Sequence, residues 1–244
     1  MFNWTQYSLD PNQGYTHQEW KKFYDNISKF VFQYRNDFLY SYISQFENIL
    51  DIGFVEHTLD YINKDTWFHG KLRKKAAGKE VWGLDLNSEL VEECKVKFGF
   101  DNLIAADACG KPIKENYFDI IYAGHVIEHV SDLGLFFKFC HGSLKPGGKL
   151  LISTPNPFGK SFNQWRTKYK LVPVNMEHVN WITPSCINEL CRRYDFEFEK
   201  SIYPKPLGSK FRSLRKLLFS LWKDYRFQTR DLYYDEYTYI LKKL

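Results

Sequence analysis

The chain has 244 residues, 34 Lys plus Arg against 29 Asp plus Glu, and is 44% hydrophobic with 14 Gly and nine Pro, which excludes disordered, collagenous and low-complexity classes. Apolar runs stop at four or five residues, far short of the roughly 18 that a membrane-spanning helix needs. The start Met1-Phe2-Asn3-Trp4-Thr5 has neither a basic nor an apolar leader, so a cytoplasmic protein with one core is expected.

Residues 17–46 lack Gly and Pro and repeat Trp20, Phe23, Tyr24, Ile27, Phe30, Val31, Tyr34, Phe38 and Tyr42 at helical spacing. This predicts one or two amphipathic helices, and residues 1–46 are expected to form an aromatic helical cap ahead of the main domain at 47–244. Asn48 to Gly53 is a short apolar run ending in an acid and a glycine, the outline of a buried parallel strand. Four more runs resemble it, at Glu80 to Asp85, Asn102 to Asp107, Phe118 to Ala123 and Lys149 to Thr154, with helical patterns between them at Ser88 to Phe98 and Ser131 to Leu144. A further helix, Pro184 to Tyr194, follows an N-cap at Thr183. The stretches Phe196 to Tyr203 and Tyr234 to Lys242 alternate as half-exposed strands do, and read as an edge hairpin around an insertion at 205–232. The order is βαβαβ, an α/β, Rossmann-like doubly wound sheet.

The charge is uneven, with eight Lys or Arg between residues 205 and 230 against Asp224 alone. Within that insertion, residues 210–223 place Phe211, Leu214, Leu217, Leu218, Leu221 and Trp222 on one helical face opposite Lys and Arg. Such a stretch suits either a lid packed on the core or a peripheral membrane contact at the inner face of a bilayer, with a lipid-linked acceptor. The five cysteines form no C-x-x-C pair and read as reduced structural thiols.

Asp51-x-Gly53, Asp85 and Asp107 close three successive strands and put three carboxylates on one rim of the sheet. An acid at the second strand end accepts both hydroxyls of a ribose, and a third acid can accept from the exocyclic amine of adenine. No G-x-G-x-x-G is present to hold a pyrophosphate, which favours an adenosine without phosphates over a nicotinamide dinucleotide.

The run of ILDIG (49–53), GLDLN (83–87), AADA (105–108), FDIIYAGHVIEHV (118–130), LKPGGKLLISTPNP (144–157) and MEHVNWITP (176–184) resembles the class I S-adenosylmethionine-dependent methyltransferases. The nearest branch contains ubiquinone-biosynthesis O-methyltransferases and many small-molecule and glycan methyltransferases. The resemblance implies a seven-stranded sheet with its last strand antiparallel and S-adenosyl-L-methionine as cofactor. It also implies that Asp51 and Gly53 cradle the methionine end, Asp85 with Leu86 binds the ribose, Asp107 with Ala108 reads adenine, and Gly124 and His125 flank the sulfonium. The expected reaction is methyl transfer to an oxygen of a small molecule or glycan, phosphorylated or lipid-linked acceptors included. The alternative is a scaffold of the same fold that has lost its cofactor.

One departure bears on that expectation. The family continues its first motif as D-x-G-x-G-x-G, whereas this chain reads Asp51-Ile52-Gly53-Phe54-Val55-Glu56-His57. The missing glycines give the backbone close approach and left-handed torsions, so a rerouted loop is expected, with the longer segment to Ala76 shaping a different lid. His125-x-x-Glu128-His129 spells a zinc-peptidase motif, but it follows a buried strand instead of lying on a long helix, so no metal is expected. In some members of the ubiquinone branch an acid stands in place of His125 and joins the residues matching Glu128 and His129 on a divalent cation. Thr154-Pro155-Asn156-Pro157 follows the fifth strand, not the fourth where amino-methylating nucleic-acid enzymes carry N-P-P-Y, so no nucleic-acid substrate is expected. Glu128 and Asn156 are candidate substrate contacts, and His125, His129 and His178 are candidate bases for removing a hydroxyl proton.

Overall fold

The computed structural model of the protein describes residues 16–56, 58–171, 175–204 and 234–244. The basic segment 205–230, with its amphipathic stretch 210–223, lies outside the described residues, as does His57. The strands are β1 (Ser28–Val31), β2 (Asn48–Ile52), β3 (Glu80–Asp85), β4 (Leu103–Ala105), β5 (Phe118–Gly124), β6 (Leu144–Pro155), β7 (Phe196–Pro204) and β8 (Glu236–Lys243). The helices are α1 (His17–Ile27), α2 (Arg35–Ile43), α3 (Leu59–Ile62), α4 (Phe68–Lys75), α5 (Ser88–Phe98), α6 (Leu133–Ser143), α7 (Lys160–Tyr169) and α8 (Pro184–Arg193).

The strands form one sheet in the order β1-β7-β8-β6-β5-β2-β3-β4. Pairing is parallel except on both sides of β8, which runs antiparallel to β6 and β7. From β2 the chain winds outward through β3 and β4, then returns to β5 on the other flank of β2. Connections diverge between those two strands, which opens a crevice at their C-terminal ends, where ligands of such sheets bind.

The pleat of β5 divides the core into two layers. Ile120 and Tyr122 pack with Leu39 and Ile43 of α2 and Leu72 of α4. Ile121 and Ala123 pack with Phe136, Phe137 and Cys140 of α6 and with Ile187 and Cys191 of α8. Apolar side chains on both faces explain why the central strands read as continuous apolar runs.

Three elements differ from the sequence expectation. The N-terminal segment is not helical throughout, because α1 ends at Ile27 and the next four residues, Ser28 to Val31, pair with Ser201 to Pro204 of β7. That pairing makes the sheet eight-stranded, not seven, and satisfies the outer edge of β7, a non-local gain that helical periodicity does not report. The strand expected over residues 102–107 shortens to Leu103–Ala105. The strand expected from Lys149 begins earlier, at the end of α6: Leu144 already pairs with Phe118, and the chain bulges through Lys145-Pro146-Gly147-Gly148, with Gly147 at φ 76°. Among the described residues no helix is long and apolar enough to cross a membrane.

Candidate active site

The crevice between the ends of β2 and β5 holds a cavity of about 860 Å³. At the end of β2, Gly53 takes φ 78°, and a Cβ there would lie 2.5 Å from Val126 Cγ2, so only glycine fits. The next two side chains, Phe54 and Val55, turn away from solvent into an apolar cluster with Ile62, Trp67, Val91, Cys94 and Leu103. Trp67 Nε1 donates to Phe54 O at 2.7 Å and pins this inward course. Glu56 absorbs the remaining turn at φ 61° and borders the cavity. The loop is therefore anchored through its side chains, where the family pattern has glycines.

The carboxylates expected from the strand ends are held by backbone groups or by a buried ring. Asp85 accepts Val55 N–H at 3.2 Å on one oxygen and Asn87 N–H at 3.0 Å on the other, so the loop helps to orient it. Asp107 accepts Cys109 N–H at 2.7 Å in a tight local turn. Asp51 is 3% exposed, and its Oδ2 lies 2.9 Å from His69 Nδ1. Burial raises the pKa of Asp51, and His69 opposes that rise.

Asp51, Gly53, Asp85, Leu86, Asp107, Ala108, Gly124 and His125 all border the cavity. His129 borders it too, while His178 stands outside the lining with its ring edge-on to His129 at 4.8 Å. Burial depresses the pKa of His178 and outweighs the attraction of Glu128. Two expected substrate contacts are displaced. Asn156 is fully buried away from the lining, donating to Tyr234 O at 2.6 Å and accepting Phe158 N–H at 2.9 Å, so it ties β6 to the start of β8 instead of facing the pocket. Glu128 is 1% exposed behind the cavity wall, where it accepts from Thr154 Oγ1 at 3.1 Å.

His125 sits at φ 56° with Nδ1 3.2 Å from Glu128 Oε1 and Nε2 3.4 Å from Glu236 Oε2. Arg35 Nη1 reaches the same Glu236 oxygen at 2.7 Å and lies 2.7 Å from His125 Nε2, so guanidinium and imidazole compete for one carboxylate. Burial alone would lower the pKa of His125, but its bonds to Glu128 and Glu236 outweigh burial and Arg35 and lift it to about 9. The raised pKa disfavours the neutral ring that a base needs, which counts against the role expected for His125. The same raised pKa disfavours His125 as a metal ligand, which must be unprotonated. Donor atoms of Glu128, His129 and His178 do lie within 4.8 Å of one another, a cluster that sequence spacing did not show. Arg35, His69 and Glu236 were missed as well, since none belongs to a local motif and each reaches the site from a distant element.

A family model described as a methyltransferase domain matches residues 25–201. The chain belongs to this methyltransferase family. The match begins inside the N-terminal segment that supplies β1 and Arg35. Over 89 residues the chain is 51% identical to a ubiquinone biosynthesis O-methyltransferase of Bradyrhizobium diazoefficiens, covering 35% of each chain. Over 140 residues it is 34% identical to the mitochondrial ubiquinone biosynthesis O-methyltransferase of Rattus norvegicus, covering 54% of this chain and 36% of that one. The chain spans less than half the length of the curated relatives it matches. A solved SAM-dependent methyltransferase from Archaeoglobus fulgidus shares the fold with a TM-score of 0.52 at 17% identity, over 85% of this chain and 94% of that one.

The lining suits that family's cofactor on chemical grounds. Asp51, Glu56, Asp85, Asp107, Asp132 and Glu177 border the cavity against the cations Arg35 and His125, an excess of acid that attracts a sulfonium and repels a pyrophosphate.

Proposed function

We propose that the protein is an S-adenosylmethionine-dependent methyltransferase that modifies an oxygen of a small-molecule acceptor. One observation carries this reading: the carboxylates closing β2, β3 and the β4 loop converge with Gly53 on a single acid-rich cavity at the switch point of the sheet. When bound, S-adenosylmethionine supplies an electrophilic methyl group on a positively charged sulfur. Asp85 accepts from the ribose hydroxyls, its orientation set by Val55 and Asn87. Asp107 and the Ala108 backbone meet the adenine edge, Leu86, which is 74% exposed, flanks the ribose face, and Asp51 meets the amino-acid end. Gly124 and His125 border the reacting centre, where dry walls favour in-line alignment of acceptor and methyl group.

Transfer to a hydroxyl releases its proton. His129 borders the cavity, so its imidazole is the ring placed to receive that proton, with His178 packed edge-on against it. The names of the ubiquinone-biosynthesis relatives favour an oxygen acceptor. A glycan acceptor rests on the family resemblance, and a lipid-linked acceptor with membrane contact on the sequence of residues 210–223. Calorimetric titration with S-adenosylhomocysteine tests the cofactor site. Asp85→Asn, which loses a charged acceptor but keeps one oxygen for the loop, is expected to bind about thirtyfold more weakly than wild type. Equal affinities would remove Asp85 from the site, and a folded wild type that does not bind would leave the cofactor-less scaffold as the better reading.

A further inference from the structure

His69 lies in the first turn of α4, is fully buried, and directs Nδ1 at Asp51 Oδ2 from 2.9 Å. Its other nitrogen, Nε2, has no hydrogen-bond partner among the described residues. The ring is packed instead against Phe54 at 4.9 Å, Trp67 at 5.5 Å and Phe100 at 6.5 Å. A leucine or phenylalanine would fill such a place without leaving a polar atom unpaired, so packing does not account for an imidazole here. What the imidazole adds is the bond to Asp51.

We propose that His69 is a positioning residue of the cofactor site, holding the Asp51 carboxylate ionised and turned to the cavity so that it receives the ammonium of the cofactor's amino-acid end. The proposal rests on the reading of the cavity as an S-adenosylmethionine site. A carboxylate as buried as Asp51 favours its neutral form, and a neutral acid attracts no ammonium. The other groups facing it do not help. Asp85 on β3 repels its charge, and Tyr40 on α2, whose own burial keeps the phenol protonated to about 12, carries a hydroxyl with no hydrogen-bond partner among the described residues. Arg73, one turn along α4 from His69, is committed elsewhere, donating to Val81 O and Asn102 Oδ1 and lying over the Phe100 ring at 3.9 Å. The favourable interactions resolved at Asp51 come from His69.

The same turn of α4 repairs the altered glycine loop. Trp67 clamps Phe54 O and stacks on Phe98 at 5.0 Å, and Gly70 lets the helix close on it, since a Cβ there would meet Trp67 Cε3 at 2.6 Å. The start of α4 thus restrains the loop through Trp67 and the acid through His69.

The test is titration with S-adenosylhomocysteine between about pH 6 and about pH 9, for wild type, His69→Phe, His69→Asn and Asp85→Asn, with a thermal melt of each. His69→Phe keeps the ring volume and removes the donor. It is expected to bind about tenfold more weakly than wild type at the acid end and to recover as pH rises, because an unaided Asp51 holds its proton to higher pH. His69→Asn, which places an N–H near the Nδ1 position, is expected to restore affinity to within about threefold. A purely structural role would weaken binding equally at every pH and give no rescue. That pattern, or wild-type affinity in His69→Phe while Asp85→Asn is still impaired, overturns the proposal and leaves the cofactor site standing. A folded wild type that does not bind overturns both. Nitrogen-15 spectra of the wild type decide independently of any variant: the ring is expected to carry its proton on Nδ1, and a ring protonated on Nε2 alone sinks the idea.

Discussion

At the scale of single residues, the acceptor end of the cavity is governed by where protons sit. His125 gains a pKa of about 9 on folding from its contacts with Glu128 and Glu236, above the ordinary 6.5 of an unfolded histidine. Its stabilising contribution is therefore complete below about pH 6.5 and is lost as pH rises through about 9. The half-exposed ring is screened by solvent, so the expected loss is about 1 kcal/mol. Wild type should melt at a lower temperature at pH 9 than at pH 7, and His125→Gln should flatten that dependence. A wild-type melt that does not move over this range would count against the charged ring. Strand-end acids were legible in the sequence because each follows its apolar run directly, as Asp51 and Asp85 do. Arg35 and Glu236 were not, because they meet His125 only after α2 and β8 have been brought together by folding. Asn156 was misplaced for a related reason: a polar residue after a strand looks free to face a pocket, and only the return of the chain at Tyr234 shows that its amide is already occupied.

At the scale of elements, the departure at the first loop was visible as missing glycines, and its remedy was not. Val55 is fully buried among Ile62, Trp67, Val91 and Leu103, so the residue that breaks the family pattern is a core residue here. Restoring the family's glycine should therefore harm the protein. Val55→Gly is expected to lose about 2–4 kcal/mol through lost burial and added freedom of the unfolded chain, read by urea denaturation. Its affinity for S-adenosylhomocysteine should not improve, since Val55 N–H already serves Asp85 and gains nothing from a looser backbone. Tighter binding with unchanged stability would show that the side chain obstructs the cofactor instead of anchoring the loop. The central strands were read correctly because burial on both faces leaves a signal within five or six residues, as at Glu80–Asp85. β1 carries no such signal. Its four residues are half-exposed and continue the helical spacing of their neighbours, and they become a strand because the edge of β7 is there to receive them.

At the scale of the whole molecule, the placement of charge separates ligands that strand order alone does not. A doubly wound sheet with an acid after its second strand suits either a dinucleotide or S-adenosylmethionine. A dinucleotide brings a pyrophosphate, and that group needs backbone N–H donors at a glycine-rich turn. In this protein the turn is filled by Phe54 and Val55, and Glu56 faces the cavity beside Asp51 and Asp85. The field at that point is negative and favours a ligand that brings an ammonium there over one that brings a pyrophosphate. A ligand that binds the folded state alone stabilises it by about 2.7 kcal/mol at a hundred times its dissociation constant, and in a chain of this size each kcal/mol moves the midpoint by about 2–4 °C. Saturating S-adenosylhomocysteine should accordingly raise the melting temperature by about 5–10 °C, while NADH at the same concentration leaves it unchanged. The comparison uses the fold as its own control, because both ligands would enter the same crevice. A shift with NADH and none with S-adenosylhomocysteine would mean that the acid-rich wall between β2 and β3 does not repel phosphate, and the electrostatic basis of the assignment would fall with it.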